Sequence, residues 1–211
     1  MPVDPTLTVE HELFAAGAPL VIGIDEVGRG AMAGPVMVGV CAISAGVTAF
    51  PAGLRDSKLV SEKKRGALDP LVREWGVTAV GEASAVEIDE LGITACLGLA
   101  AKRALIDLHE AGISVGTATV LLDGAHDWLN PALSSKLRVI TRVKADQDCA
   151  AVAGASIVAK VTRDALMVQL DAEHPEYGWA SNKGYGAAVH MEAIRTLGTT
   201  PYHRQSWVKS S

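Results

Sequence analysis

Asp25 and Glu26 are adjacent carboxylates at the end of the apolar run Val21-Ile22-Gly23-Ile24, and Val27-Gly28-Arg29-Gly30 follows at once. Successive side chains of a strand point to opposite faces, so one of the two acids must face the interior. A buried carboxylate is costly unless it is compensated, and a divalent cation is the natural compensation for an acid pair beside a glycine loop. Two later stretches repeat the order. Thr119-Val120-Leu121-Leu122 leads into Asp123-Gly124, and the run from Leu137 to Val143 leads on to Asp146. If these strand ends are neighbours, four carboxylates converge with no fixed cation among them. Such a cluster repels itself unless hard cations bind, and oxygen-only ligands favour Mg2+ or Mn2+ over zinc. The chemistry it suits is in-line displacement at phosphorus, with two ions roughly 3.5–4 Å apart serving the attacking water and the leaving oxygen. Asp148 shares the extended segment with Asp146 and stays open as a further ligand, whereas Asp164 has an (i, i+4) partner in Lys160.

The glycines after Glu26 admit a second reading. Gly28-Arg29-Gly30-Ala31-Met32-Ala33 has the spacing of a dinucleotide-binding loop. Gly34-Pro35 follows where a helix should begin, however, and the next segment is another strand rather than a crossover helix. Two carboxylates just before the loop would also repel a pyrophosphate. The glycines are better suited to letting a substrate approach the main chain closely.

The elements that must position these groups can be read in turn. A short helix is expected at His11 to Ala16, a strand at Leu20 to Asp25, and a second, nearly all-apolar strand at Pro35 to Ile43 that pairs with the first as a hairpin. Ser61 caps a basic helix at Glu62 to Leu68, and Asp69-Pro70 looks like the start of another. Val77 to Ala83 alternates as a strand. Ser84 and Glu87 have capping-box spacing before a helical segment that reaches Glu110 and closes at Gly112. Small residues from Ala150 to Ala155 open a helix able to lie very close to a sheet, and the helix turns polar at Lys160, Arg163 and Asp164. Beyond His174 the composition changes to Tyr177, Trp179, Tyr185, Tyr202 and Trp207, with a helix at Ala187 to Leu197 ended by Gly198. The chain therefore divides into an expected catalytic unit, residues 1–173, and a small carboxy-terminal helical subdomain, residues 174–211.

A length of 211 residues with 49% hydrophobic and 20% charged residues describes a globular chain, not a disordered one. Cys41, Cys96 and Cys149 are odd in number and far apart, which points to buried thiols of a reduced, cytoplasmic protein and not to a disulfide or zinc framework. Neither a leader nor a membrane span is expected. The net charge of −5 argues against a nucleic-acid partner only if the acids are spread evenly; acids gathered in a metal site leave basic clusters free elsewhere. Lys58, Lys160 and Arg163 are the candidates for phosphate contacts. His126, His190 and His203 lack metal-ligand spacing, so proton handling would fall to water and substrate phosphate.

The run Asp25-Glu26-Val27-Gly28-Arg29-Gly30-Ala31-Met32-Ala33-Gly34-Pro35-Val36 resembles the signature of the type 2 ribonucleases H, the bacterial ribonuclease HII family. The resemblance continues through Asp56-Ser57-Lys58, Leu122-Asp123-Gly124, Lys144-Ala145-Asp146, the stretch from Ala155 to Asp164, Gly184-Tyr185-Gly186 and His203-Arg204-Gln205-Ser206-Trp207. It departs at Leu59, where a second lysine is common, and at Ala187, where a threonine is. The resemblance implies a ribonuclease H-like α/β fold, a mixed β-sheet flanked by helices, and an endonuclease that hydrolyses the RNA strand of RNA–DNA hybrids and nicks 5′ of single ribonucleotides in duplex DNA. By motif, Asp25, Glu26, Asp123 and Asp146 would hold the Mg2+ or Mn2+ ions. Gly28, Arg29 and Gly30 would contact the ribose 2′-OH and the junction phosphate, and Tyr185 would pack on the deoxyribose beyond it. A monomer is expected. Two other readings remain: a metal nuclease of the same fold acting on DNA, and a non-catalytic nucleic-acid-binding module. The second has no reason to aim carboxylates at phosphates.

Overall fold

The computed structural model describes residues 4–208. In chain order it contains α1 (Thr8–Ala15), β1 (Leu20–Val27), β2 (Val36–Ser44), α2 (Glu62–Trp75), β3 (Val77–Ala83), α3 (Ala85–Leu91), α4 (Ile93–Glu110), β4 (Thr119–Asp123) and β5 (Arg138–Arg142). These are followed by α5 (Ala145–Asp148), α6 (Ala150–Glu173), α7 (Trp179–Asn182), α8 (Ala188–Leu197) and α9 (Gln205–Val208). The strands form one mixed sheet in the order β3-β2-β1-β4-β5. β1 is antiparallel to β2, from Leu20 opposite Ser44 to Val27 opposite Met37, and parallel to β4, with Ile24 opposite Leu122. The expected hairpin is present. So is the adjacency of two acid-ended strands, which brings Asp25 and Asp123 to one edge of the sheet.

Alternation along β1 sorts the core into two layers. Val21 joins Cys41, Ile43, Val72 and the small residues of α6 on one face; Ile22 and Ile24 join Val38, Val40, Leu97 and Leu122 beneath α4 on the other. On the α6 face, Gly23 and Gly39 have no room for a side chain: a Cβ on Gly23 would run into the Ala151 and Val152 backbone, and one on Gly39 into the Ala155 carbonyl. These two glycines and the alanines of α6 together set the close helix-to-sheet approach. Asp25 continues the Val21-Gly23 face and therefore points at α6, where it is buried.

Several boundaries differ from the sequence reading. Asp69-Pro70 does not start a helix; Pro70 lies inside α2, whose buried Leu68 and Val72 hold both halves in one line. The Ser84/Glu87 capping box is present, but the segment that follows breaks at Gly92, which adopts a φ of +80° and separates α3 from α4. β5 ends at Arg142, and Lys144, at φ +61°, turns the chain into α5. Asp146 is therefore on a helix and not at a strand end. The three thiols are free and buried, and among the described residues no helix is long and apolar enough to cross a membrane.

The helices after Glu173 surround a third core of Tyr177, Trp179, Ala193 and Ile194, which also takes in Ala33, Met167 and Leu170 from the sheet-bearing part. Of the two expected units, residues 1–3 and 209–211 lie outside the described residues.

Candidate active site

Asp25, Glu26 and Asp123 each offer an oxygen, and these oxygens lie within 4.8 Å of one another. Their orientation is built in. The Glu26 N–H donates to Asp25 Oδ1 at 2.8 Å, and the Ala145 N–H, at the start of α5, donates to Asp123 Oδ1 at 2.8 Å. Glu26 Oε2 is buried with no hydrogen-bond partner. A buried carboxylate oxygen left without a partner in a cluster of three acids fits a hard divalent cation, and the all-oxygen donor set suits Mg2+ or Mn2+. Burial raises the Asp25 pKa well above the usual carboxylate range, and the Glu26 and Asp123 charges add to this against opposing effects of Ser156 and Lys58.

Asp146 lies beside this triangle. It is buried, feels the charges of Asp56 and Asp123, and accepts from Lys58 Nζ at 3.4 Å; burial is the largest cause of its rise to about 6. Lys58 is held in place by Asp56, a buried residue that the sequence reading left without a role: Asp56 Oδ1 accepts from the Lys58 N–H at 2.9 Å, and Oδ2 from Gln147 Nε2 at 3.4 Å. Burial works against the Lys58 ammonium, but Asp25, Asp56 and Asp146 outweigh it and raise its pKa. Lys58 is thus the resident cation among the acids. Asp148 is different. On a helical turn, residues two apart diverge, and Asp148 Oδ2 accepts from Arg142 Nη2 at 2.6 Å and Nε at 3.0 Å.

These shifts have a pH signature. An Asp whose pKa is raised on folding contributes stability that is complete below its unfolded pKa and lost as pH rises through the folded value, here about 6 for Asp146. In chelator, this site should therefore cost the fold more at about pH 8 than at about pH 5, and a divalent ion, which competes with protons, should restore more. The rise in Tm on adding Mg2+ should be larger at the higher pH. Equal rises at both, by differential scanning fluorimetry, would contradict the assignment.

The glycine loop lies next to the acids and is held from behind by two arginines. Arg204, fully buried, donates from Nη1 to the Arg29 carbonyl at 2.8 Å, from Nη2 to those of Gly28 at 2.6 Å and Gly34 at 3.2 Å, and from Nε to Gly34 at 3.3 Å. With the carbonyls turned inward, the N–H groups of Arg29 and Gly30 donate to no carbonyl among the described residues. Both residues are exposed, and a Cβ on Gly30 would meet nothing within 4 Å. The Arg29 side chain reaches Glu26 Oε1 at 3.3 Å from the surface, a contact worth little by itself.

Arg163 corrects the sequence reading, which gives it to a phosphate. It is fully buried and donates to the carbonyls of Ala33 at 3.0 Å, Pro35 at 2.9 Å and Lys183 at 2.8 Å. At Gly28, with φ +79°, a Cβ would run into the Arg163 guanidinium. Lys160 also differs: it is mostly covered and donates to Asp164 Oδ1 at 2.6 Å, which bears out the reading of Asp164 as its partner. Burial lowers the Arg163 pKa; burial and then the Arg163 charge bring Arg204 down to about 10. Neither arginine has a carboxylate ion-pair partner among the described residues. Two buried cations behind a loop with free N–H groups make that surface attractive to an anion.

Tyr185 closes the other side. The residue is 37% exposed, with the Arg163 guanidinium carbon 5.5 Å from its ring centroid. The turn that carries it is tied to the glycine loop, because the Met32 and Ala33 N–H groups both donate to the Gly184 carbonyl, at 2.8 and 3.1 Å. Sequence spacing brought these segments forward as motifs but could not show that Arg163 and Arg204 join them.

A family model described as ribonuclease HII matches residues 22–210. The ribonuclease HII of Streptomyces avermitilis is 49% identical over 210 residues, covering 98% of this chain and 85% of that protein; the ribonuclease HII of Streptomyces coelicolor is 47% identical with the same coverage. Among solved structures, the crystal structure of the ribonuclease H2 from Pyrococcus horikoshii OT3 superposes with a TM-score of 0.70 at 25% identity, covering 90% of this chain and 96% of that one.

Proposed function

Because the chain belongs to the ribonuclease HII family, whose activity on RNA–DNA hybrids makes it a ribonuclease H, we propose that it also nicks duplex DNA 5′ of a single embedded ribonucleotide, using two divalent ions. The observation that carries this reading is the placement of the carboxylate triangle directly beside the unpaired N–H groups of Arg29 and Gly30. Asp25, Glu26 and Asp123 would hold Mg2+ or Mn2+, with Asp146 completing the set. When bound, the ions supply an activated water and charge stabilisation at the scissile phosphate.

The remaining work belongs to the chain's own groups. The Arg29 and Gly30 N–H groups, backed by the Arg204 and Arg163 charges, bind the junction phosphate and the ribose 2′-OH, the one group that separates RNA from DNA at a given nucleotide. Arg29 and Lys58 offer exposed cations to the flanking phosphates. Tyr185 packs on the deoxyribose, where a 2′-OH would be crowded. Lys160 and Arg163 serve the frame behind this surface. A protein acting as a monomer and residing in the cytoplasm fits this reading.

The direct test is cleavage of a duplex carrying one ribonucleotide, with Mg2+ and Mn2+ compared. A single nick 5′ of the ribonucleotide is expected; activity confined to continuous RNA–DNA hybrid would overturn the embedded-ribonucleotide reading. Tyr185→Ala should lower the preference for the junction over the hybrid by roughly tenfold, about 1.4 kcal/mol, with a smaller effect on overall binding. An unchanged preference would remove Tyr185 from junction recognition.

A further inference from the structure

Tyr185 lies between two glycines, Gly184 and Gly186, so its backbone has little intrinsic reason to hold one orientation. Its carbonyl nevertheless has two partners: the Ala187 N–H at 2.8 Å and His190 Nδ1 at 2.8 Å. His190 is fully buried on α8, at the centre of a hydrogen-bonded cluster the cleavage chemistry does not use. Its Nε2 lies 3.0 Å from Trp179 Nε1 and 3.1 Å from His203 Nε2, while His203 Nδ1 receives the Thr200 N–H at 2.9 Å and lies 3.0 Å from Thr200 Oγ1.

The proton positions in this cluster follow from its fixed donors and acceptors. A backbone N–H can only donate, so His203 Nδ1 is an acceptor and its proton is on Nε2. A carbonyl can only accept, so His190 carries its proton on Nδ1 and accepts at Nε2. Indole Nε1 can only donate, which agrees: the single lone pair of His190 Nε2 is shared as acceptor between the Trp179 Nε1–H and the His203 Nε2–H. The bonds therefore run in one direction, from the Thr200 N–H through His203 and His190 to the Tyr185 carbonyl. A further proton on either ring would place two donors face to face. Burial lowers the pKa of both histidines, and with the adjoining His190 it brings His203 to about 4.

We propose that His190 is a positioning residue for substrate recognition, holding the Tyr185 carbonyl through Nδ1–H while His203 and Trp179 hold its ring. The role rests on the reading of Tyr185 as the junction contact. His190 touches no substrate; it holds the carbonyl end of the tyrosine's backbone, while the Tyr185 N–H donates to the Asn182 carbonyl at 3.0 Å and Gly184 ties the turn to the glycine loop.

Two variants separate positioning from packing. His190→Ala and His190→Asn both lose the Nε2 acceptor, leaving Trp179 and His203 donors unpaired, so both should lower Tm. Only the asparagine keeps an N–H near the position of Nδ1. The ratio of kcat/KM on the single-ribonucleotide duplex to that on hybrid should fall several-fold in His190→Ala, as in Tyr185→Ala, and stay near the parent value in His190→Asn. Equal ratios in the two variants, whether both reduced or both unchanged, would overturn the proposal. If Tyr185→Ala leaves the ratio unchanged, the junction reading has failed, and the positioning role with it; if Tyr185→Ala lowers it and His190→Ala does not, the positioning role alone has failed. Should His190→Ala not fold, 15N-detected imidazole spectra of the parent protein near neutral pH decide: protons on His190 Nδ1 and His203 Nε2 support the chain, and the opposite tautomer at either ring breaks it.

Discussion

Asp123→Asn should lower cleavage by roughly 10³-fold or more, about 4 kcal/mol of transition-state stabilisation, while leaving Tm at or above that of the parent in chelator. The activity loss follows because the triangle of Asp25, Glu26 and Asp123 has oxygens within 4.8 Å with only the surface contact of Arg29 to Glu26 and the neighbouring Lys58 as cations beside it among the described residues, so in the proposed function removing one anionic oxygen removes a divalent-ion ligand. The retained stability follows from the same crowding. Asp25 is destabilised as an anion by burial first and by Glu26 and Asp123 in addition, so neutralising Asp123 relieves repulsion in the metal-free fold. An asparagine oxygen can still accept the Ala145 N–H that Asp123 Oδ1 receives at 2.8 Å. Steady-state cleavage and thermal melts with and without Mg2+ check both halves. Parent-like turnover would remove Asp123 from the catalytic set, and a large loss of stability in chelator would mean that the acids hold the fold and not the ions.

Arg204→Met should be the most damaging change outside the acids. The guanidinium is the partner of the Gly28, Arg29 and Gly34 carbonyls, all on the loop that presents the Arg29 and Gly30 N–H groups. Unpaired buried carbonyls cost about 1–3 kcal/mol each, some of which relaxation recovers, so a loss of roughly 3 kcal/mol and a Tm drop of about 6–12 °C are expected. If the loop reads the 2′-OH as proposed, cleavage at a single ribonucleotide should fall further than cleavage of hybrid. Arg204→Lys tests the mechanism. It keeps the charge but lacks the planar fork that reaches three carbonyls, so it should recover little if the arginine acts by geometry and much if it acts by charge. Melting and cleavage that match the parent in Arg204→Met would show that the loop holds itself.

Arg163 marks the limit of reading by motif. A lysine or arginine on a polar helix end has the composition of a phosphate contact, and Lys160 and Arg163 share such a stretch of α6. Their fates depend on which way the helix faces. Its small residues pin it against Gly23 and Gly39, and that contact turns Arg163 inward under Gly28 and Gly34. Asp146 shows a second limit. The alternation of Leu137 to Val143 describes a strand well, but nothing local says that Lys144 will take a left-handed turn and start a helix. The acid still arrives beside Asp123, because α5 begins at the end of β5, next to β4 in the sheet.

The amino-acid sequence by itself determined the hairpin of β1 and β2, the acid-ended β4, the exposed glycine loop after Glu26 and the close packing of the alanine-rich helix. Each is a matter of local periodicity, of side-chain size or of the absence of a Cβ, and such terms act between near neighbours along the chain. The tertiary structure alone decided that three carboxylates, and not four, form the tight triangle, that Lys58 stands among the acids, and that Arg163 and Arg204 brace the loop from within. It also decided that His203 and His190 lead to Tyr185. These depend on which of several chemically competent partners comes within about 3 Å, a distance set by how the sheet, α6 and the carboxy-terminal helices dock and not by any one stretch of residues.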